Sequence, residues 1–124
     1  MVADPSQGPQ VGHIGEIEIT ARDPEKVRAF LESVFGWKVA EYGSDIMTFA
    51  SSDAGVGGHI VRWPHQEPTY VTFYVKVDDI KATVERVVKA GGTVLVPEGE
   101  IPGGGHFALF TDPEGHPMGV YTET

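Results

Sequence analysis

Phe107-Ala-Leu-Phe-Thr-Asp-Pro-Glu-Gly-His-Pro-Met-Gly-Val-Tyr121 decides how the chain reads: two short apolar runs meet at Asp112-Pro113-Glu114-Gly115. Proline pre-sets the φ of a turn and glycine accepts a positive φ, so the chain reverses there and the flanking runs pair as a hairpin. A fainter copy lies about 60 residues earlier, from Phe49 through Asp53, Gly55 and His59 to Val61. It too has two apolar runs around a turn that ends in glycine. The chain reads as a duplication.

Upstream of the hairpin, Tyr70, Thr72, Tyr74 and Lys76 alternate with Val71, Phe73, Val75 and Val77, the pattern of a half-buried strand. Asp78-Asp79 caps a helix whose apolar stripe is Ile80, Val84, Val87 and Val88, and Gly91-Gly92 ends it. Strands over Thr93 to Pro97, His106 to Thr111 and Met118 to Thr122 complete the unit. The first half repeats this order. Glu16, Glu18 and Thr20 alternate with Ile17, Ile19 and Ala21. Asp23-Pro24-Glu25 then supplies an N-cap, a proline at the first helical position and a first-turn acid. Val27, Phe30, Leu31, Val34 and Phe35 form one apolar stripe before Gly36, and strands are predicted over Trp37 to Tyr42, Ile46 to Ala50 and Gly57 to Trp63. Sliding one half on the other superposes Asp23 on Asp79, Glu16 on Thr72, Gly55 on Gly115 and His59 on Gly119, with one short insertion between the pairs.

The predicted fold class is α+β: two βαβββ modules forming a curled, mixed, eight-stranded sheet with the helices on its convex side. Module 1 covers about residues 12–63, a proline-bounded linker 64–68, and module 2 about 69–122, after a flexible tail over 1–11. At 124 residues the two modules must share one domain.

The composition excludes several classes of function. A net charge of −9 without a Lys/Arg cluster argues against nucleic acid and anionic membranes as partners, leaving small neutral or cationic molecules. No apolar run reaches the roughly 20 residues of a membrane helix. The N-terminus lacks the basic and apolar regions of a secretory signal, so a cytoplasmic location is expected. The absence of cysteine removes disulfides, thiolate ligands and thiol nucleophiles together.

The duplicated βαβββ order resembles the vicinal oxygen chelate superfamily of glyoxalase I, extradiol dioxygenases and bleomycin resistance proteins. Asp23-Pro24, Phe35-Gly36-Trp37, Val77-Asp78-Asp79-Ile80, Ala90-Gly91-Gly92 and Phe110-Thr-Asp-Pro-Glu-Gly115 carry the likeness across nearly the whole chain. The run from Val96-Pro97 through Ile101-Pro102-Gly103-Gly104 to Phe107 further resembles a bacterial glyoxalase-like subgroup. The resemblance implies a site in the cup of the sheet, homodimeric association, and metal-ligand positions that fall here on Glu16, His59, Thr72 and Gly119. Two of these are competent ligands, so the metal site reads as degenerate, with Glu18 and His106 as residues that could make up the deficit.

Strand alternation puts Tyr70, Tyr74 and Tyr121 on the face of Thr72 and Gly119, and Trp63 on that of His59, with Met47 or Phe49 able to join them. This aromatic composition suits a small organic ligand. One reading is thus a binding protein without a cofactor, its cup lined by Thr72, Tyr74, Tyr121, Trp63 and Tyr70. A second is a lyase, isomerase or dioxygenase in which Glu16 and His59 are catalytic and weakly hold zinc, nickel, iron or manganese. In a third, Glu16 or His59 is a general base in a metal-free enzyme.

Overall fold

Asp23 opens the first helix as its spacing predicts. Its carboxylate accepts from the Lys26 amide, Pro24 occupies the first helical turn, and Gly36, at φ 74°, closes the last. The computed structural model describes residues 8–124, so residues 1–7 of the expected tail lie outside the described residues. The elements in order are β1 (Ile14–Ala21), α1 (Pro24–Phe35), β2 (Val39–Glu41), β3 (Ile46–Phe49), α2 (Ser51–Ala54), β4 (Gly58–Arg62), β5 (Val71–Lys76), α3 (Ile80–Lys89), β6 (Thr93–Glu100), β7 (His106–Thr111) and β8 (Pro117–Thr122). The eight strands are mixed, running in the order β2-β3-β4-β1 in one half of the chain and β5-β8-β7-β6 in the other, so the fold is α+β as predicted.

The chain divides into two compact units, Glu16–Thr72 and Phe73–Thr124, the latter with the segment ending at Gly15. In Glu16–Thr72, β4 pairs in parallel with β1 and antiparallel with β3, which pairs antiparallel with β2. Its core is Ala21, Leu31, Val39, Met47, Phe49 and Ile60, with Ile17, Ile19, Val27 and Trp37 packed against it. Ile60 is fully buried. In the other unit β8 pairs in parallel with β5 and antiparallel with β7, and β7 with β6, around Ile80, Ala108 and Val120. The β7–β8 hairpin turns at Gly115, at φ 92°, as its proline and glycine require.

Four expectations change. Ser52–Gly55, expected as a turn, belongs to a single helical turn over Ser51–Ala54 that Gly55 ends at φ 87°. The strand expected to stop at Pro97 continues to Glu100. It stands at the end of the strand order, where a proline's missing N–H costs no ladder bond, and its register shifts twice. Of the α1 stripe only Leu31 is buried, while Phe30, Val34 and Phe35 are exposed by more than half. Met47 and Phe49 do not join the ligand face: Met47 pairs with Ile60 and Phe49 with Gly58, which turns both into the core beneath α1.

Candidate functional site

Every second residue of β1, continued past the strand end, is tied down in Glu16–Thr72. Glu16, Glu18 and Thr20 point away from the apolar core formed by Ile17, Ile19 and Ala21, as strand alternation requires. Glu18 is the Cα partner of His59 across the parallel β1–β4 ladder. The imidazole consequently lies between two carboxylates, with Nδ1 3.0 Å from Glu16 Oε1 and Nε2 3.0 Å from Glu18 Oε1. The Tyr70 hydroxyl donates to the other Glu18 oxygen, Oε2, at 2.9 Å. Tyr70 is itself positioned by Thr20, whose hydroxyl accepts from the Tyr70 amide and donates to its carbonyl.

The electrostatics follow from this chain of bonds. Burial works against charge on His59, but hydrogen bonds and the negative charges of Glu16 and Glu18 outweigh it, and its pKa is pushed up from 6.5 to about 9. At neutral pH it is an imidazolium donating from both nitrogens. Burial, then the adjacent Glu18 charge, raises the Tyr70 phenol above its ordinary 10, so it stays a donor. Glu18 is buried, with 11 % of its side chain exposed, whereas Glu16 keeps 35 % exposed.

An aromatic wall continues from Tyr70. Trp63 and Tyr70 pack in a T-shaped arrangement with ring centroids 5.4 Å apart, and the His65 ring centroid stands 4.7 Å from that of Trp63. Arg22 fastens this segment, its guanidinium donating to the carbonyls of Trp63 (2.9 Å), His65, Gln66 (3.3 Å) and Glu67 (2.8 Å). The Trp63 indole also donates to the Glu67 carbonyl. Thr72, two residues past Tyr70, is buried.

The structure thus brings together Glu16, His59, Tyr70 and Trp63, and makes Glu18 the centre of the array. In the sequence Glu18 stood out as a face-mate of Glu16 able to supplement a metal site. Its register with His59, which gives it the larger role, depends on a pairing between distant strands. The remaining candidates belong to the other unit. There Tyr74 and Gly119 are Cα partners, and a side chain at position 119 would run into the buried Tyr74 ring, which also meets Phe107 edge-on at 6.3 Å. The position where the resemblance implies a second-module metal ligand is therefore filled by tyrosine. Tyr121 likewise places its hydroxyl over Gly15, where a Cβ would collide with it. His106 starts β7, its amide donating to the Thr122 hydroxyl, and exposed His116 bonds Asp112 in the β7–β8 turn.

A resident divalent ion needs about three protein donors converging on one point. Here Glu16 and Glu18 approach different nitrogens of one imidazole, and both nitrogens are bonded to carboxylate, so the imidazole turns no nitrogen toward an ion. Among the described residues no group of three His, Asp or Glu side chains is disposed to hold a metal. As arranged, the donor set does not fit the metal that the resemblance implies.

Comparison with known proteins agrees with the architecture. Residues 10–120 match the family model described as the Glyoxalase/Bleomycin resistance protein/Dioxygenase superfamily. A glyoxylase-like domain-containing protein of Didymella fabae is 34% identical, the match covering 90% of this chain and 94% of that protein. An anthracycline biosynthesis protein of Streptomyces peucetius is 32% identical over 74% of this chain, which spans only 40% of that relative's length. Among solved structures, methylmalonyl-CoA epimerase from Mycobacterium tuberculosis superposes with a TM-score of 0.71 at 10% identity, covering 100% of this chain and 93% of that one. The Mn(II)-bound glyoxalase from Novosphingobium aromaticivorans gives 0.65 at 19% identity, covering 91% of this chain and 39% of that one. At such identities the structural likeness establishes the fold alone.

Proposed function

Since the chain belongs to the Glyoxalase/Bleomycin resistance protein/Dioxygenase superfamily, we propose that it binds a small organic molecule on the face carrying Glu16, His59, Tyr70 and Thr72, without a resident metal. One observation carries this reading: both ring nitrogens of His59 are bonded to carboxylates at 3.0 Å, which leaves no imidazole lone pair for an ion. Trp63 and Tyr70 give the face the aromatic component that organic ligands favour. The family resemblance to bleomycin resistance proteins and the anthracycline-biosynthesis name of one relative support an organic rather than a macromolecular ligand. Metal analysis of protein purified without chelator tests it. Substoichiometric metal, unchanged in Glu16→Ala, is expected; a full equivalent lost in that variant overturns the reading.

Glu16 supports a second, enzymatic reading. It combines partial exposure with a bond to an imidazolium, the placement of a general base in a metal-free lyase or isomerase. Proton exchange at the α-carbon of a ketone substrate, lost in Glu16→Gln, would favour it. For the assembly we propose a homodimer: β2 and β6 end the strand order, and open strand edges are normally covered. Light scattering that finds only a 13.4 kDa species across micromolar concentrations removes this assembly. Among the described residues no helix is long and apolar enough to cross a membrane.

A further inference from the structure

The donors and acceptors of the Glu16–His59–Glu18–Tyr70 array do not balance. Each nitrogen of His59 faces a carboxylate oxygen, and the Tyr70 hydroxyl is given to Glu18 Oε2. Glu18 therefore has both oxygens engaged. Glu16 has one, Oε1; its Oε2 has no hydrogen-bond partner among the described residues, on a side chain 35% exposed. What the array still offers an incoming molecule is an acceptor.

Charge points the same way. Two carboxylates and one imidazole sum to a negative value whether or not the imidazole carries its second proton. Arg22, just after β1, and Arg62, the last residue of β4, do not offset it. Arg22 is committed to the carbonyls of Trp63 to Glu67, and Arg62 to Asp45 and the Arg22 carbonyl. An anionic ligand would meet a negative face without an available donor in the array. A cation would gain a charge-assisted hydrogen bond from Glu16.

We propose that the ligand of this face presents a cationic or strongly donating nitrogen, an ammonium on an aromatic or planar body, to Glu16 Oε2, and that carboxylate-bearing molecules are rejected. This rests on the small-molecule reading above and narrows it to a chemical class. The same donor shortage bears on the enzymatic reading: a developing enolate oxygen would find the His59 N–H groups and the Tyr70 O–H already given to carboxylates.

Three probes of one shape separate the two readings: benzylamine, benzyl alcohol and benzoate, titrated at neutral pH against the full chain and followed by amide and imidazole chemical shifts. Benzylamine is expected to bind about tenfold more tightly than benzoate, a difference of about 1.4 kcal/mol, with shifts centred on Glu16, His59 and Tyr70. In Glu16→Gln, which keeps the shape and loses the charge, that preference is expected to vanish. Benzoate binding as tightly as benzylamine overturns the cation preference, as does a preference that survives in a folded Glu16→Gln. Benzyl alcohol binding at the same residues in either case leaves the small-molecule reading standing. Failure of all three probes to shift any residue of the array at millimolar concentration removes both.

Discussion

Glu18 and His59 face each other as direct partners in the parallel β1–β4 ladder, and through the 3.0 Å contact between Glu18 Oε1 and His59 Nε2 backbone register sets the charge of the site. Shifting the ladder by one residue would turn His59 into the core and Ile60 out of it. The buried ladder therefore guards the polar array.

The raised pKa of His59 makes stability depend on pH in a definite direction. Since folding raises it from 6.5 to about 9, the stabilisation is complete below 6.5 and is lost as pH rises through about 9. At about 1.4 kcal/mol per pH unit, the loss is on the order of 3 kcal/mol as an upper bound. Urea unfolding at pH values spanning that window measures it, and His59→Gln is expected to flatten the dependence. In Glu18→Gln an imidazole titration followed by NMR should move down toward 6.5.

Tyr70→Phe removes one donor from a buried carboxylate while keeping the ring against Trp63. A loss of about 1.5–3 kcal/mol is expected, the range for hydrogen bonds to charged groups. The same variant should delete a phenol that ionises above the ordinary range from the ultraviolet titration. Loss of a phenol that ionises within the ordinary range would contradict the placement of that hydroxyl on Glu18.

Gly57 and Gly58 are adjacent yet should respond in opposite ways to alanine. A Cβ at 58 collides with the Phe49 ring and comes within 2.6 Å of the Ile17 carbonyl, a backbone atom that has no room to yield. A Cβ at 57 meets nothing nearer than 3.7 Å. Gly58→Ala is expected to cost about 1–3 kcal/mol, and Gly57→Ala to stay within about 0.5 kcal/mol. Thermal or denaturant unfolding decides between them.

Arg22→Ala should loosen the Trp63–Glu67 segment with little effect on global stability, about 1 kcal/mol or less, because its partners are exposed. In a Trp37→Phe background, where Trp63 is the sole indole, the fluorescence of Trp63 is expected to shift toward that of a solvated ring. Arg22→Lys should rescue it only in part, since one ammonium has too few donors to span four carbonyls.

Elements set by local chemistry were legible in the sequence. Pro24 and Gly36 bound α1, Asp79 caps α3, and the Pro113–Gly115 turn pins the β7–β8 hairpin, all at the expected positions. Glu16 and His59 were legible as partners because duplication aligned them with family ligand positions. Tertiary pairing decided the rest. The facing of Met47 and Phe49 depends on which residue of β4 each opposes, and the role of Glu18 on its register with His59. An apolar stripe such as Phe30, Leu31 and Val34 shows where a helix can bury itself, but not how much of it the sheet covers. Nor did the glycine at 119 announce that a tyrosine from a neighbouring strand would lie across it.

In each unit the first strand is closed in parallel by the last, β1 by β4 and β5 by β8, while the neighbouring hairpins join strands adjacent in sequence. Hairpins form within microseconds, whereas a parallel pair must wait for a long intervening loop to close. The array of Glu16, Glu18 and His59 hangs on such a late pair. During refolding, secondary structure should appear before His59 acquires its unusual basicity, so the proton affinity of one imidazole serves as a clock for the last step of assembly.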